Sequence, residues 1–320
     1  MSVRIAVLDD YQHVAREYAD WSALPADAEI TAFDEHIADE SELVRRLEPF
    51  EVVAAMRERT PFPRRVLEAL PKLKLLVTTG MSNASIDMEA AGRLGITVSG
   101  TGNSSSSPAA TTELTWGLIL ALTRAVPAED RRIREGGWQH TIGMGLSGRT
   151  LGLVGLGRLG TQVANLGRAF GMDTIAWSQH LTAETAEAAG VKAVGKRELF
   201  ATADVISIHV RLSDRTRGLV GAEEIGLMSR DAYLVNTSRG PIVDEAALRD
   251  ALWRGRIAGA GIDVFEREPL PADDPWRSVP RTVLTPHIGY VTAPTYETFY
   301  TETVEDILAH LAGAPVRVLN

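Results

Sequence analysis

The chain has no cysteine among its 320 residues, which excludes disulfide frameworks and thiolate metal sites. Positive charge is also short: 33 Lys and Arg stand against 42 Asp and Glu, a formal net charge of −9. No basic cluster is left over to neutralise a phosphate backbone, so nucleic acid is not expected as a partner. Long hydrophobic runs are missing as well. The best candidate, "TTELTWGLILALTRAV" (111–126), is shorter than a membrane span and carries Glu113 and Arg124 near its ends, so it reads as a buried or interface helix. The opening "MSVRIAVLDD" looks like a strand and lacks the basic, apolar, small-residue order of a secretion signal. These absences point to a cytoplasmic protein with no membrane partner and no metal. What is present is 45% hydrophobic and 23% charged, the composition of an ordinary globular chain. Its length suits about two domains of roughly 150 residues each.

Short Val, Ile and Leu runs alternate with helix-period segments, the pattern of βαβ units on a parallel sheet. The alternation occurs twice. In the first half, strands are expected at "VRIAVLD", "AEITAF", "FEVVAAM", "LKLLVTT" and "GITVSG", with helices at "HVAREYADWSAL", "SELVRRLE", "RRVLEAL" and "DMEAAGRLG". No glycine fingerprint follows the first strand, where "VLDDYQ" stands instead, so this lobe is expected to hold something other than a dinucleotide. A loop is expected at "GTGNSSSSPAA". A second lobe opens at Thr150, with strands at "TLGLVGL", "DTIAW", "DVISIHV", "AYLVNTS", "GAGIDVF" and "TVLTPH". The last segment, "TYETFYTETVEDILAHLAG", reads as one helix, which cannot form a lobe alone and is expected to return to the first. The expectation is therefore α/β: two doubly wound parallel-sheet lobes, a Rossmann cofactor domain (102–291) inserted in a flavodoxin-like substrate domain (1–101 with 292–320).

The chemistry concentrates in the second lobe. Gly155, Gly157 and Gly160 spell G-x-G-x-x-G directly after a strand and before a helix. The first glycine suits a tight turn, the second a close approach of backbone to a pyrophosphate, and the third close packing of helix on strand. Arg158, inside the turn, is either a phosphate contact or a solvated charge. Further on come "LVNTSRGPIVDEAAL" (234–248), "GAGIDVFEREPL" (259–270) and "LTPHIGY" (284–290).

Together with "LSGRTLGLVGLGRLG", these stretches resemble the NAD-dependent D-isomer-specific 2-hydroxyacid dehydrogenase family, including its phosphoglycerate dehydrogenase-like and glyoxylate/hydroxypyruvate reductase-like members. The resemblance runs from about residue 50 to about residue 310. It implies a two-lobed enzyme with its active site in the interlobe cleft. The implied reaction interconverts a small-molecule 2-oxo acid and a D-2-hydroxy acid by hydride transfer with NAD, and the implied assembly is a homodimer built through the apolar helix and the arm "DRRIREGGWQHTIGMGL". Position by position it assigns catalysis to Arg239, Glu268 and His287. It assigns cofactor contacts to Gly155, Gly157, Arg158, Leu159, Gly160, Ser178, Thr237 and Asp263. Substrate contacts fall on Met81 and Ser82, in "LLVTTGMSNASID", and on Arg57. The residue types fit: a histidine exchanges a proton near neutral pH, a carboxylate orients it, and a guanidinium grips a carboxylate and polarises the neighbouring carbonyl. Asp263 also fits a strand-end carboxylate bonded to loop amides, and Arg57 a surface charge beside Glu58.

Three departures stand out. Ser178 occupies the position, about 20 residues past the fingerprint, where an acid would bind the ribose of NAD. No arginine follows in "SQHLT", so NADP is also admitted. Met81-Ser82-Asn83 alters the substrate loop, and Tyr290 stands where a small residue is usual. A rival reading is an NAD(H)-sensing corepressor-type binding protein of the same fold. A formate dehydrogenase is disfavoured by Glu268, since that branch resembles a Gln–His pairing.

Overall fold

The computed structural model describes residues 2–102 and 109–320. By its internal contacts the chain divides into two compact units, Met1–Pro108 with Val291–Asn320, and Ala109–Tyr290. The serine run expected as a loop falls at 103–108, outside the described residues.

The first unit is built on β1 (Arg4–Val7), β2 (Glu29–Ala32), β3 (Val52–Ala55), β4 (Leu75–Thr78) and β5 (Thr97–Gly100), interleaved with α1 (Glu40–Leu47), α2 (Arg64–Glu68) and α3 (Met88–Arg93). All strand pairs are parallel and the order is β2-β1-β3-β4-β5, the flavodoxin-like winding. The interior strands are aliphatic and buried on both faces, as a parallel sheet covered by helices requires. α1 begins on Asp39, whose carboxylate accepts the Glu42 N–H at 2.8 Å, and ends in Arg45 and Arg46, which suit the helix dipole.

The helix expected over 13–24 does not form. Only a 3₁₀ turn at Trp21–Ala23 is present. The Asp10 carboxylate takes the N–H groups of Val14 and Ala15 at 2.9 and 3.1 Å, and His13 has φ +57°. Local side-chain bonds thus replace the helical ladder, and the Trp21 indole donates to the Ala15 carbonyl at 2.7 Å.

The second unit contains α4 (Ala110–Thr123), α5 (Val126–Arg134), β6 (Thr150–Val154), α6 (Arg158–Ala169), β7 (Asp173–Trp177), α7 (Ala183–Ala188), β8 (Lys192–Ala193), α8 (Lys196–Thr202), β9 (Val205–Ile208), α9 (Ala222–Leu227), β10 (Tyr233–Asn236), α10 (Glu245–Trp253), β11 (Gly259–Ile262) and β12 (Thr282–Leu284). Its strands form one parallel sheet in the order β12-β11-β10-β9-β6-β7-β8, reversing direction of winding at β6. Neighbouring strand residues point to opposite faces. Leu153, Val205 and Val235 pack with Trp116, Ile119 and Val163, whereas Val154, Ile206 and Leu234 pack with Phe200, Leu248 and Trp276. The long apolar segment ends at Thr123, two residues before Ala125 adopts φ +50°, and Pro127 then opens α5.

The C-terminal helix α11 (Ala293–Leu311) packs on β4 and belongs to the first unit. Its tail runs back along β5, where Gly100 N–H donates to the Arg317 carbonyl at 3.0 Å and Leu319 N–H to the Val98 carbonyl at 2.8 Å. Arg317 reaches Asp306 at 3.0 Å; burial pushes that carboxyl up to about 7 against the pull of the guanidinium. Among the described residues no helix is long and apolar enough to cross a membrane.

Candidate active site

All seven strands of the second sheet are parallel, so their carboxyl ends share one edge. That is where open α/β sheets bind ligands. At the end of β6, Gly155 has φ +103°, and a Cβ there would lie 2.6 Å from the His209 carbonyl oxygen. Only glycine satisfies both conditions. A Cβ on Gly160 would collide with the Gly155 carbonyl, so the third glycine lets α6 seat directly on the turn. Gly157 is the N-cap of α6, makes no side-chain cap bond, and has nothing within 4 Å of its Cβ position. No N-cap side chain therefore covers the start of this 12-residue helix, where the dipole favours an anion. Arg158 is exposed at the head of that helix and Leu159 is half-buried. Beneath the turn, His209 holds Ser207 Oγ at 2.8 Å through Nε2, and burial pushes its pKa down to about 4, so the ring is uncharged. Ser178 sits half-buried one residue past β7, its carbonyl accepting the Leu181 N–H at 3.1 Å.

The arginine turn follows β10. Thr237 is buried, with its hydroxyl 2.9 Å from Thr115 Oγ1; because Thr115 donates to the Thr111 carbonyl at 2.7 Å, Thr237 is the donor of the pair. Asn236 closes the turn from within. Its Oδ1 accepts the Ser238 N–H and its Nδ2 donates to the Arg239 carbonyl, both at 3.0 Å. Ser238 Oγ ties the turn to the Ile208 carbonyl at 2.7 Å, and Arg239 Nη1 donates to the Ser238 carbonyl at 2.7 Å. A Cβ on Gly240 would collide with the Phe265–Glu266 backbone, so this turn packs directly on the segment that carries Glu268.

Glu268 and His287 meet. Glu268 Oε2 lies 2.6 Å from His287 Nδ1, while Oε1 accepts the Phe265 N–H at 2.8 Å. His287 has φ +54°, a left-handed conformation that costs a non-glycine residue about 1–2 kcal/mol. Asp263 offsets that cost. Its carbonyl accepts the His287 N–H at 2.7 Å, and its carboxylate accepts Ile288 N–H at 2.8 Å, Gly289 N–H at 3.0 Å and Thr285 Oγ1–H at 2.6 Å. Asp263 is fully buried, and burial raises its pKa, opposed by these donors and by the His287 charge. Of the two sequence readings for Asp263, the bond to loop amides is therefore present. Tyr290 sets its ring edge-on to His287, centroids 5.7 Å apart.

In the first unit, Arg57 (φ +53°) follows β3; its N–H donates to Thr79 Oγ1 at 2.8 Å and its guanidinium to the Thr79 carbonyl at 3.2 Å, covering Gly80. It is thus docked on the loop, and its Nε also lies 3.7 Å from Glu58 Oε2, the neighbour named in the alternative reading. Met81 and Ser82 are exposed on that loop. Asn83, part of the noted departure, is a buried brace, donating to the Arg57 carbonyl at 2.7 Å and Thr78 Oγ1 at 2.8 Å. Among the described residues no cluster of three His, Cys, Asp or Glu could hold a metal ion.

The NAD-binding-domain model of the D-isomer specific 2-hydroxyacid dehydrogenases matches residues 116–289. The glyoxylate reductase of Aeropyrum pernix is 38% identical over 265 residues, covering 80% of this chain and 78% of that protein. The chain belongs to the D-isomer specific 2-hydroxyacid dehydrogenase family. Another member, the D-3-phosphoglycerate dehydrogenase of Methanocaldococcus jannaschii, is 38% identical over 275 residues, 85% of this chain but 52% of its own length, so the chain spans about half of that relative. The crystal structure of a phosphoglycerate oxidoreductase from Vibrio cholerae O395 superposes with a TM-score of 0.92 at 38% identity, covering 98% of this chain and 100% of that one.

The trio and the fingerprint stood out in the sequence because each lies in a short family motif. Asn236, Ser238 and Thr285, which hold the two turns, were not singled out. Each lies within a quoted motif, but its partner is fixed only by the fold.

Proposed function

We propose that this chain interconverts a 2-oxo acid and its D-2-hydroxy acid with NAD(H), in the cytoplasm, where nicotinamide nucleotides are available. The observation that carries this reading is the 2.6 Å Glu268–His287 pair, on the same sheet edge as the fingerprint. The start of α6 and the bare Gly157 fit a dinucleotide pyrophosphate, and Arg158, Leu159, Ser178 and Thr237 would be further cofactor contacts. When bound, the nicotinamide supplies or receives the hydride. Because Nδ1 of His287 is engaged by Glu268, Nε2 is the nitrogen that gives a proton to the substrate oxygen in reduction and takes it in oxidation. Glu268 holds the ring and fixes which nitrogen faces the substrate. Arg239 carries the planar fork that suits the substrate carboxylate and polarises the reacting carbonyl. Asp263 holds the histidine loop and would contact the nicotinamide carboxamide. In the first unit, the resemblance assigns Met81 and Ser82 to the substrate carboxylate and Arg57 to the neighbourhood of the substrate.

A homodimer is part of the same proposal. α5 has no buried residue, and Ile133, Trp138 and Ile142 on it and the arm beyond are 52%, 72% and 101% exposed. An apolar face of this kind is one that a second copy would cover.

Cofactor choice gives the test. With Ser178 in place of an acid, neither the ribose attraction nor the repulsion of a 2′-phosphate is present, and both NADH and NADPH are accepted with weak discrimination. Ser178→Asp should penalise NADPH over NADH by roughly 1–3 kcal/mol through a like-charge contact. The check is kcat/KM for both cofactors in both proteins, with glyoxylate, hydroxypyruvate, pyruvate and phenylpyruvate as oxo acids. A thousandfold preference in the unaltered protein would place the choice outside this loop, and no turnover of any oxo acid would count against the reaction.

A further inference from the structure

Glu245 lies in the "DEAAL" part of a quoted motif and has no part in the chemistry so far. It is the first residue of α10, with its side chain only 12% exposed. A carboxylate at this point of a helix needs no partner beyond the helix's own start, yet this one is turned away to bind elsewhere. Oε1 accepts the Glu266 N–H at 2.6 Å, and Oε2 accepts the Trp276 indole N–H at 2.9 Å, with Arg249 Nη1 at 3.4 Å. The Phe265–Glu266 peptide that it grips is a shared joint. Gly240, next to Arg239, abuts it from one side, and the adjacent Phe265 N–H donates to Glu268. Trp276 is buried and meets the Phe265 ring edge-on at 6.2 Å, closing the joint from behind.

We propose that Glu245 is a positioning residue for the acid/base pair: it fixes the 265–268 turn so that Glu268 meets His287 and the Arg239 turn keeps its distance from both. The proposal rests on the dehydrogenase reading. Its logic is that each oxygen of Glu245 serves a different donor, so an amide cannot replace the carboxylate. Glutamine would satisfy Glu266 or Trp276 but set an NH₂ group against the other.

Glu245→Gln should lower kcat for oxo-acid reduction by about ten- to a hundredfold, the size of effect expected from a displaced catalytic group. Cofactor Kd and substrate KM should stay within about threefold. Adding Glu245→Gln to Glu268→Gln should cost less than about threefold more, since both act through one contact. Glu245→Asp keeps the charge but withdraws it by one methylene, and gives the same readout should the glutamine variant fold poorly. Proton NMR of the His287 Nδ1–H resonance supplies a reading that needs no turnover: Glu245→Gln should shift or broaden it. An unmoved resonance or fully multiplicative losses in the double variant would overturn the positioning role. Loss of the dehydrogenase reading shows separately, as no oxo acid turned over by the unaltered protein.

Discussion

His287→Ala is expected to lower kcat for oxo-acid reduction by about a hundredfold to ten-thousandfold, the contribution of a positioned general acid. Cofactor affinity should be nearly unchanged, because the pyrophosphate is assigned to the fingerprint turn and the start of α6, not to the His287 side chain. The position has φ +54°, so alanine inherits the left-handed conformation without relieving it. His287→Asn is the better control, since asparagine tolerates that region. With Asp263 still holding the amides of residues 287, 288 and 289, the asparagine variant should unfold within a few degrees of the unaltered chain while losing the same activity. Steady-state kinetics, cofactor titration and thermal melts check the three parts. An active His287→Asn protein would show that another group moves the proton.

The second large effect belongs to Arg239. Arg239→Ala should reduce kcat/KM for a 2-oxo acid by about a thousandfold, roughly 4 kcal/mol, because it removes both the carboxylate grip and the polarising charge. Arg239→Lys should recover little of it. An ammonium keeps the charge but not the two parallel N–H groups that match a carboxylate. Stability should largely hold, since Asn236 and Ser238 still fasten the backbone of the turn when the bond from Arg239 Nη1 to the Ser238 carbonyl is lost. The comparison is kcat/KM for alanine, lysine and unaltered proteins with one oxo acid. Equal activity in the lysine variant would mean that charge alone suffices and that the bidentate grip is absent.

What the sequence made legible follows from how locally each feature is encoded. The winding of both sheets could be read because each strand is an apolar run bounded by turns, and β8, with two residues, is too short to leave such a signal. The fingerprint glycines are separated by two and three positions, so turn, approach and helix start are all written in one hexapeptide. The 13–24 stretch misled because its apolar spacing suits a helix, whereas the outcome depends on Asp10 taking the amides of Val14 and Ala15. The supports of the site were hidden for the converse reason. Asp263 binds donors 22, 25 and 26 residues further on, and Glu245 holds an amide 21 residues away. In a single sequence those partners have no pattern linking them. Only the parallel sheet, by bringing strand ends to one edge, puts them within reach of each other.

The central claim is that the His287–Glu268 pair and the fingerprint on one sheet edge carry out stereospecific reduction of a 2-oxo acid. The most direct measurement is to mix the protein with reduced nicotinamide cofactor and pyruvate, hydroxypyruvate or phenylpyruvate, follow the loss of the reduced-cofactor absorbance, and resolve the product on a chiral column. The account predicts cofactor oxidation with at least one of the three and a product that is the D-2-hydroxy acid alone. Formation of the L-isomer or a racemate, or no oxidation of either cofactor with any of them, would contradict it.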